Sequence, residues 1–129
     1  MEKQNKYKIL VAEDNLVNVK VAEYVLKPIA DVLDFVMNGK EVLEIIKTNT
    51  YDFILMDVKM PIMDGYEATQ IIRKQENQNN TDKPIKIIAA TANNQPEEAA
   101  YCKSIGMDDL IVKPYSTKDI LSIIELYGD

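Results

Sequence analysis

The chain has 129 residues, of which 47% are hydrophobic and 28% charged, and its formal net charge is −6. These values are typical of one globular domain, and the acidic balance argues against nucleic acid as a direct partner because phosphate backbones recruit clustered Lys and Arg. Since the chain contains no histidine, it cannot carry a Ser-His-Asp triad or a phosphohistidine of its own, and its single cysteine argues against a zinc site.

The chain shows no pattern of secretion or of membrane insertion. Its first eight residues, MEKQNKYK, are charged and have no apolar core, so they predict no secretory signal. No apolar run approaches the roughly 20 residues that a membrane-spanning helix needs. Cys102 has no partner for an internal disulfide and is predicted to be a small packed residue on a helix. We therefore expect a cytoplasmic protein without membrane contact.

Strands and helices are predicted to alternate five times along the chain. Short apolar runs rich in Val, Ile, Leu, Tyr or Phe predict strands at 7–12, 32–36, 51–56, 85–90 and 110–112. Apolar residues at steps of three and four predict helices over 21–29, 42–46, 68–72, 99–105 and 120–127. Mostly continuous apolar strands separated by amphipathic helices favour an α/β fold with a doubly wound parallel sheet. We expect a single domain over 1–129 with a core of about 7–127.

Several predicted helices have recognisable ends. Pro96 precedes two acids and predicts a first helical turn, and Gly106 is a typical C-terminal stop. Ser116 and Asp119 resemble a capping box that opens the last helix. Asp64 and Gly65 indicate a turn and a helix start.

Two polar segments are predicted to be irregular. The stretch RKQENQNNTDKP, residues 73–84, breaks the helical period and is interpreted as the frayed end of the third helix followed by a long surface loop. Asp108 and Asp109 are interpreted as residues that solvate a loop.

Polar residues follow or end four of the predicted strands. Glu13 and Asp14 follow the first strand, and the third runs through four apolar residues into Asp57. The fourth strand ends at Thr91 and the fifth at Lys113. Ligands of open parallel sheets bind beyond the carboxyl ends of the strands, so these side chains are expected to share one rim.

The acids of this rim predict a divalent metal site. Three carboxylates in one hollow repel each other, and a bound Mg²⁺ or Mn²⁺ ion relieves that repulsion with oxygen ligands and retained waters. We predict Asp14 and Asp57 as direct ligands and Glu13 as a ligand through water. A backbone carbonyl just after Asp57, at Lys59, is predicted to add one more oxygen.

The same rim suits phosphoryl transfer to an aspartate. Asp57 would supply the attacking oxygen, while Lys113 and the Thr91 hydroxyl would each take a phosphoryl oxygen. Less specific interpretations exist for each residue alone. Glu13 and Asp14 suit a helix start, Thr91 suits a strand, and Lys113 could be a solvated strand end. Asp57 is harder to explain in this way, because an unpartnered charge that ends an apolar strand is costly.

In combination, four motifs resemble the receiver domain of two-component response regulators. They are AEDN with Glu13 and Asp14, MDVKMPIMDG with Asp57, TAN with Thr91 and Ala92, and GMDDLIVKP with Lys113 and Pro114. The resemblance covers residues 7–127, and AEDN, TAN and GMDD are similar to receivers of hybrid sensor kinases.

This resemblance implies a flavodoxin-like sheet of order 2-1-3-4-5. It also implies that Asp57 accepts a phosphoryl group from a phosphohistidine of a sensor histidine kinase or a histidine phosphotransfer domain. Thr91, Ala92 and Lys113 would be the phosphoryl-binding and switch residues, and the Lys113–Pro114 bond would be cis. The surface formed by the fourth helix, fifth strand and fifth helix, about residues 95–127, would contact an unidentified downstream protein.

The chain departs from the family pattern at one switch position. Leu110 stands where the family carries Tyr or Phe, which puts the usual coupling to Thr91 in doubt, and Tyr115 is a candidate substitute. Lys59 and Asn93 occupy the positions that flank the hydrolysing water in this family. We predict that this pair sets the lifetime of the phosphoryl group, so that Lys59→Asn changes the dephosphorylation rate.

Other functions remain alternatives on sequence alone. A haloacid-dehalogenase-like magnesium phosphohydrolase would need an aspartate where Lys59 stands, and a flavin carrier would need a phosphate-binding loop where the chain is acidic. A docking scaffold that works without phosphorylation would not need the acid, Thr and Lys set. As a receiver, the chain is a switch rather than an enzyme with an external substrate, and it is either a stand-alone regulator or part of a hybrid kinase. The kinase, the stimulus and the oligomeric state are left open.

Overall fold

The computed structural model of the chain describes residues 6–127. The first five residues of the charged N-terminal stretch, and residues 128–129, lie outside the described part. The elements in chain order are β1 (Tyr7–Ala12), α1 (Leu16–Leu26), a 3₁₀ turn (Lys27–Ile29), β2 (Ala30–Val36), α2 (Gly39–Ile45), β3 (Phe53–Asp57), α3 (Gly65–Gln78), β4 (Lys86–Thr91), α4 (Pro96–Ile105), β5 (Asp109–Val112) and α5 (Thr117–Tyr127).

The five strands form one parallel sheet in the order β2-β1-β3-β4-β5, which confirms the predicted fold class and strand order. Alternate residues of the central strands point to opposite faces, so each face has its own apolar core. On one face Leu10, Ile54 and Ile87 pack with side chains of α2, α3 and α4. On the other, Ile9, Leu55 and Ile88 pack with side chains of α1 and α5. A sheet covered on both faces requires apolar residues at consecutive positions, which explains the unbroken apolar strands.

Helix ends follow the local chemistry of the sequence. The Asn15, Asn38 and Asp64 side chains accept hydrogen bonds from amides of the first turns of α1, α2 and α3. Ser116 and Asp119 bond each other's backbone amides, which confirms the capping box of α5. Gly106 ends α4 with φ 115°, a left-handed conformation that favours glycine.

The interpretation of residues 73–84 as frayed helix plus loop is partly wrong. Helix α3 continues to Gln78, and only the residues after it form the loop before β4. The helix continues because Arg73 and Glu76 have tertiary partners. Arg73 donates to the Ile85 and Gly106 carbonyl oxygens, both at 2.8 Å, and Glu76 accepts from the Ile85 amide.

The interpretation of Asp108 and Asp109 as loop-solvating residues is also wrong. The Asp108 carboxylate accepts from the Ile87 amide and from Arg73, each at 2.8 Å, and so ties the start of β4 to α3. Asp109 is the first residue of β5 and accepts from the Tyr127 hydroxyl. Cys102 is buried on α4, as predicted. Among the helices of residues 6–127, none combines the length and apolar character needed to cross a bilayer.

Candidate functional site

The predicted site residues meet at the carboxyl end of the sheet. The strand register pairs Ala12 with Met56, Asp57 with Ala90, and Thr91 with Val112. Residues that end or follow these strands therefore emerge at the same level. The sheet order brings β1, β3, β4 and β5 side by side, which gathers residues that are far apart in sequence.

The three carboxylates of this rim are close enough to share one ion. One oxygen from each of Glu13, Asp14 and Asp57 lies within 4.8 Å of the others. Glu13 and Asp57 are buried, with 5% and 7% exposure, whereas Asp14 is half-buried. An all-oxygen donor set with one side open to solvent suits a hard divalent cation that keeps bound waters.

The Lys113 ammonium lies between two of the acids. Its Nζ is 2.9 Å from Glu13 Oε1 and 3.2 Å from Asp57 Oδ2. The two carboxylates thus share one positive charge. The Lys113–Pro114 peptide bond that positions this side chain is cis, as the resemblance implies.

The second oxygen of Glu13 is held by the start of α1. Glu13 Oε2 accepts from the Asn15 backbone amide at 3.1 Å and from the Asn18 side-chain amide at 3.4 Å. Both Glu13 oxygens therefore have nitrogen donors, which fits a role through water rather than direct ligation. Asn18 was not predicted as a site residue, although an amide one helical turn after an acid pair is a readable pattern.

The charges of the cluster shift the pKa values of its members in different directions. Burial and the Glu13 charge raise the pKa of Asp57 to about 6, against the opposing effects of Lys113 and the Lys59 amide. Burial acts on Glu13 in the same sense, but hydrogen bonds from Lys113 and the Asn15 amide leave its pKa below the ordinary value. Burial alone would lower the pKa of Lys113, yet its two carboxylate partners raise it. The folded chain therefore disfavours the anionic form of Asp57 but favours that of Glu13.

Thr91 ends β4 beside this cluster. It is buried, and its Oγ1 accepts from the Asn93 amide at 3.0 Å, which leaves the hydroxyl hydrogen to donate. Ala92 and Asn93 follow as exposed residues of the loop that leads into α4.

The loop after Asp57 turns directly back over this residue. The amide of Lys59, an exposed residue, donates to Asp57 Oδ1 at 3.3 Å. A Cβ at Gly65 would lie 2.3 Å from the Asp57 carbonyl oxygen, so only glycine lets α3 begin this close to the strand end. Asp64 and Gly65, which predict a turn and a helix start, thus include a glycine that this close approach also requires.

Leu110 and Tyr115 are both half-buried but lie on opposite faces of the sheet. Leu110 packs against the core cluster of α2, α3 and α4. Tyr115 packs against the core of α1 and α5, and burial together with the Glu13 and Asp57 charges raises the pKa of its phenol. Val21, Pro114 and Tyr115 line a pocket of about 220 Å³ that Glu13, Asn18 and Lys113 also border.

Comparison with known proteins identifies the family to which this geometry corresponds. The family model of the response regulator receiver domain matches residues 9–125. Hybrid signal transduction histidine kinase B of Dictyostelium discoideum is 44% identical in an alignment of 121 positions that covers 88% of this chain and 6% of the relative. Probable histidine kinase 1 of Oryza sativa subsp. indica is 37% identical in an alignment of 150 positions, gaps included, that covers 95% of this chain and 16% of the relative. The chain thus spans a small part of these relatives.

Solved structures give the same result. The magnesium-bound receiver domain of a Pseudomonas aeruginosa PAO1 sensor histidine kinase matches with a TM-score of 0.80 and 34% identity, covering 95% of this chain and 97% of that chain. The Saccharomyces cerevisiae complex of the histidine phosphotransfer protein Ypd1 with the receiver domain of Ssk1 contains a match with a TM-score of 0.89 and 27% identity. That match covers 98% of this chain and 92% of the other.

Proposed function

The chain belongs to the response regulator receiver domain family of two-component signalling, and on that premise we propose that Asp57 is its phosphoacceptor. The observation that carries this assignment is the position of Asp57 at the centre of the rim. Its Oδ2 lies 3.2 Å from the Lys113 ammonium, and its carboxylate shares the acidic cluster with Glu13 and Asp14. A buried acid beside two other acids and one ammonium is suited to phosphoryl transfer.

We propose Mg²⁺, or Mn²⁺, as the ion of this site. The three clustered carboxylates fit a hard cation, and a 34% identical receiver has magnesium in its active-site cleft. Asp14 and Asp57 would be the direct carboxylate ligands, with the Lys59 carbonyl oxygen beside them. Glu13 would act through water, because Lys113, Asn15 and Asn18 already bond its oxygens. When bound, the ion would neutralise charge on the transferring phosphoryl group.

The chain's own residues would carry the transfer as follows. An Asp57 carboxylate oxygen attacks phosphorus of a partner's phosphohistidine, and the phosphorus–nitrogen bond breaks with its electron pair remaining on the imidazole. The Lys113 ammonium, paired with the Asp57 carboxylate before transfer, would pair with a phosphoryl oxygen after it. The Thr91 hydroxyl would donate to another phosphoryl oxygen. Ala92, the exposed residue directly after Thr91, would complete the phosphoryl-binding set. Lys59 and Asn93, both exposed at the rim, would control the approach of water and so the phosphoryl lifetime.

We propose that the donor is a histidine kinase or a phosphotransfer protein that docks on α1. This helix begins beside Asp14 and exposes Val17, Val21 and Tyr24 at 70%, 42% and 84%, an apolar row one helical turn apart. Exposed apolar rows of this kind mark protein interaction sites. A receiver domain 27% identical to this chain binds the phosphotransfer protein Ypd1.

The remaining features of the proposal follow from this role. Residues 1–129 would be one receiver domain that works in the cytoplasm as a switch and catalyses only its own phosphorylation and dephosphorylation. The α4, β5 and α5 surface would carry the signal to a downstream protein.

Incubation with acetyl phosphate and Mg²⁺ tests the assignment. Intact mass spectrometry should detect one added phosphoryl group on the wild-type chain and none on Asp57→Asn, and chelation of the metal should abolish the reaction. An Asp57→Asn chain that is still phosphorylated, or a wild type that never is, would contradict the assignment. Sustained hydrolysis of unrelated phosphate esters would instead support a phosphohydrolase.

A further inference from the structure

Helix α4 is anchored by few buried side chains. Of the ten residues in Pro96–Ile105, Cys102 is the one that is buried. The position of this helix therefore depends on a small number of specific contacts.

One of these contacts joins α4 to α3 through polar side chains. The Tyr66 hydroxyl at the start of α3 donates to the Glu98 carboxylate in the first turn of α4, and Cys102 Sγ lies 3.7 Å from the same carboxylate oxygen. The Tyr66 ring also packs edge-on against Tyr101, with centroids 4.9 Å apart at 82°. Burial and the Glu98 carboxylate raise the pKa of the Tyr66 phenol, so it remains a proton donor at neutral pH. We name the Tyr66–Glu98 hydrogen bond the α3–α4 bridge.

The α3 end of this bridge is fixed relative to the phosphoacceptor. The Gly65 amide donates to the Val58 carbonyl oxygen at 3.2 Å, and the Gly65 Cα packs directly against the Asp57 carbonyl group. Tyr66 follows at once. Any shift of α4 away from Tyr66 therefore also changes its position relative to Asp57.

The α4 end has a second connection to the rim. Thr91 Oγ1 accepts from the Asn93 amide at 3.0 Å, and Asn93 Oδ1 accepts from the amide of Gln95, the residue that precedes α4, at 2.9 Å. The first turn of α4 is thus linked to Thr91 through the loop and to Asp57 through Tyr66. A movement of Thr91 would act on the first turn of α4 through the loop, while Tyr66 holds the same turn to α3.

We propose that the α3–α4 bridge holds α4 in its unphosphorylated position and breaks when Asp57 is phosphorylated. This inference rests on the proposed function of Asp57. A phosphoryl group adds negative charge and acceptor oxygens beside Thr91, and the Thr91 hydroxyl turns toward them. The loop after Thr91 then moves the first turn of α4 with Thr91, while Tyr66 keeps its position next to the Asp57 backbone. Glu98 therefore separates from the Tyr66 hydroxyl. Leu110 packs against the same core cluster as Tyr66, but its apolar side chain can form no hydrogen bond of this kind.

A contact made in the resting state alone lowers the population of the active state. Removing it should raise the apparent affinity for any ligand that binds the active state. Loss of a hydrogen bond to a half-buried carboxylate should raise this apparent affinity roughly three- to tenfold.

The experiment compares binding of beryllium fluoride with Mg²⁺, a phosphoryl mimic, by nuclear magnetic resonance titration of the full chain. Tyr66→Phe and Glu98→Met, which remove the donor and the acceptor of the bridge, should each bind roughly three- to tenfold more tightly than wild type, and the double variant should gain little beyond either one. Tyr51→Phe is the matched control, because it removes a 2.6 Å phenol–carboxylate bond to Asp34 away from the rim. It should bind like wild type.

The outcomes separate this inference from the function on which it rests. If the wild type binds the mimic and Tyr66→Phe binds it equally or more weakly, the bridge is not a resting-state contact. Fully additive gains in the double variant would also overturn the inference, because the two side chains would not act as a pair. A wild type that binds no mimic and accepts no phosphoryl group would overturn the proposed function itself.

Discussion

Asp57 carries its charge in surroundings that favour the neutral acid. Burial and the neighbouring Glu13 carboxylate oppose its ionisation, and Lys113 compensates in part. A buried acid of this kind lowers the stability of the folded chain, and the proposed cation would relieve that cost. Two consequences can be measured on single substitutions.

Asp57→Asn should stabilise the chain at pH 8 when divalent ions are absent. The pKa of Asp57 rises from 3.8 to about 6 on folding, so the folded state binds more protons between these values. The unfolding free energy therefore falls as pH rises through this window, and the lost stability is fully expressed above it. The substitution should raise the unfolding free energy by about 1–3 kcal/mol at pH 8 and by less at pH 5.

Urea unfolding with a chelator present measures this difference. Asp31→Asn, which changes an exposed acid of β2, is the matched control and should alter stability little at either pH. An Asp57→Asn chain that is less stable than wild type at pH 8 would contradict the assignment of Asp57 as a strained anion.

Lys113→Met should separate metal binding from phosphoryl transfer. The ammonium lies 2.9 Å and 3.2 Å from two acids of the proposed metal site, and it opposes the approach of a dication. Its removal should strengthen Mg²⁺ binding by roughly three- to tenfold while slowing phosphorylation by acetyl phosphate. Calorimetric titration measures the first effect, with Lys103→Met on the α4 surface as the control. An unchanged rate of phosphorylation by acetyl phosphate would contradict the proposed role of Lys113 in phosphoryl transfer.

Among the elements, the C-terminal half of α3 forms tertiary contacts that its polar sequence does not predict. Arg73 bonds two carbonyl oxygens and two carboxylates, and thereby joins α3 to the end of α4 and to the start of β4. The same contacts hold the loop between α4 and β5 against α3, because Asp108 lies in this loop. This network fixes one end of α4, while the α3–α4 bridge holds the other.

Arg73→Met should lower the unfolding free energy by about 2–4 kcal/mol, because two carbonyl oxygens lose their side-chain donor and two carboxylates lose their positively charged partner. The Arg73 side chain is 21% exposed, so water can replace these bonds only in part. Lys74→Met, at the next and exposed position, should cost less than about 0.5 kcal/mol. Equal stabilities of the two variants in urea would show that the network contributes nothing.

In the whole molecule, the functional groups concentrate at one end of the sheet and the exposed apolar row of α1 begins beside them. This arrangement lets a partner cover α1 and reach Asp57 at the same time. Substitutions on α1 should therefore affect a protein donor and leave a small donor unaffected.

Val17→Asp should slow phosphoryl transfer from a phosphorylated histidine phosphotransfer protein by roughly tenfold or more, because it puts a charge into the proposed apolar contact. Its reaction with acetyl phosphate should match wild type. Leu126→Ala removes a side chain that is 72% exposed on α5 and is the matched control. Equal slowing with both kinds of donor would place the defect in the site rather than in docking.

The fold and the site were predictable from the sequence to different degrees. Unbroken apolar strands predicted a covered parallel sheet, and Pro96, Gly106 and the Ser116–Asp119 pair marked helix ends, because these are local effects of backbone chemistry. Glu13, Asp57 and Lys113 were identified as rim residues because strand ends share one edge. Their order across the sheet came from the family resemblance rather than from periodicity.

The sequence by itself determined where the strands and helices lie, apart from the C-terminal half of α3, and which polar groups stand at the strand ends, since both depend on neighbours within a few residues. Tertiary structure alone decided that Arg73 and Asp108 are partners 35 positions apart, that Asn18 holds Glu13, and that Tyr66 meets Glu98. A side chain's long-range partner is set by how whole elements pack, and no local pattern encodes that packing.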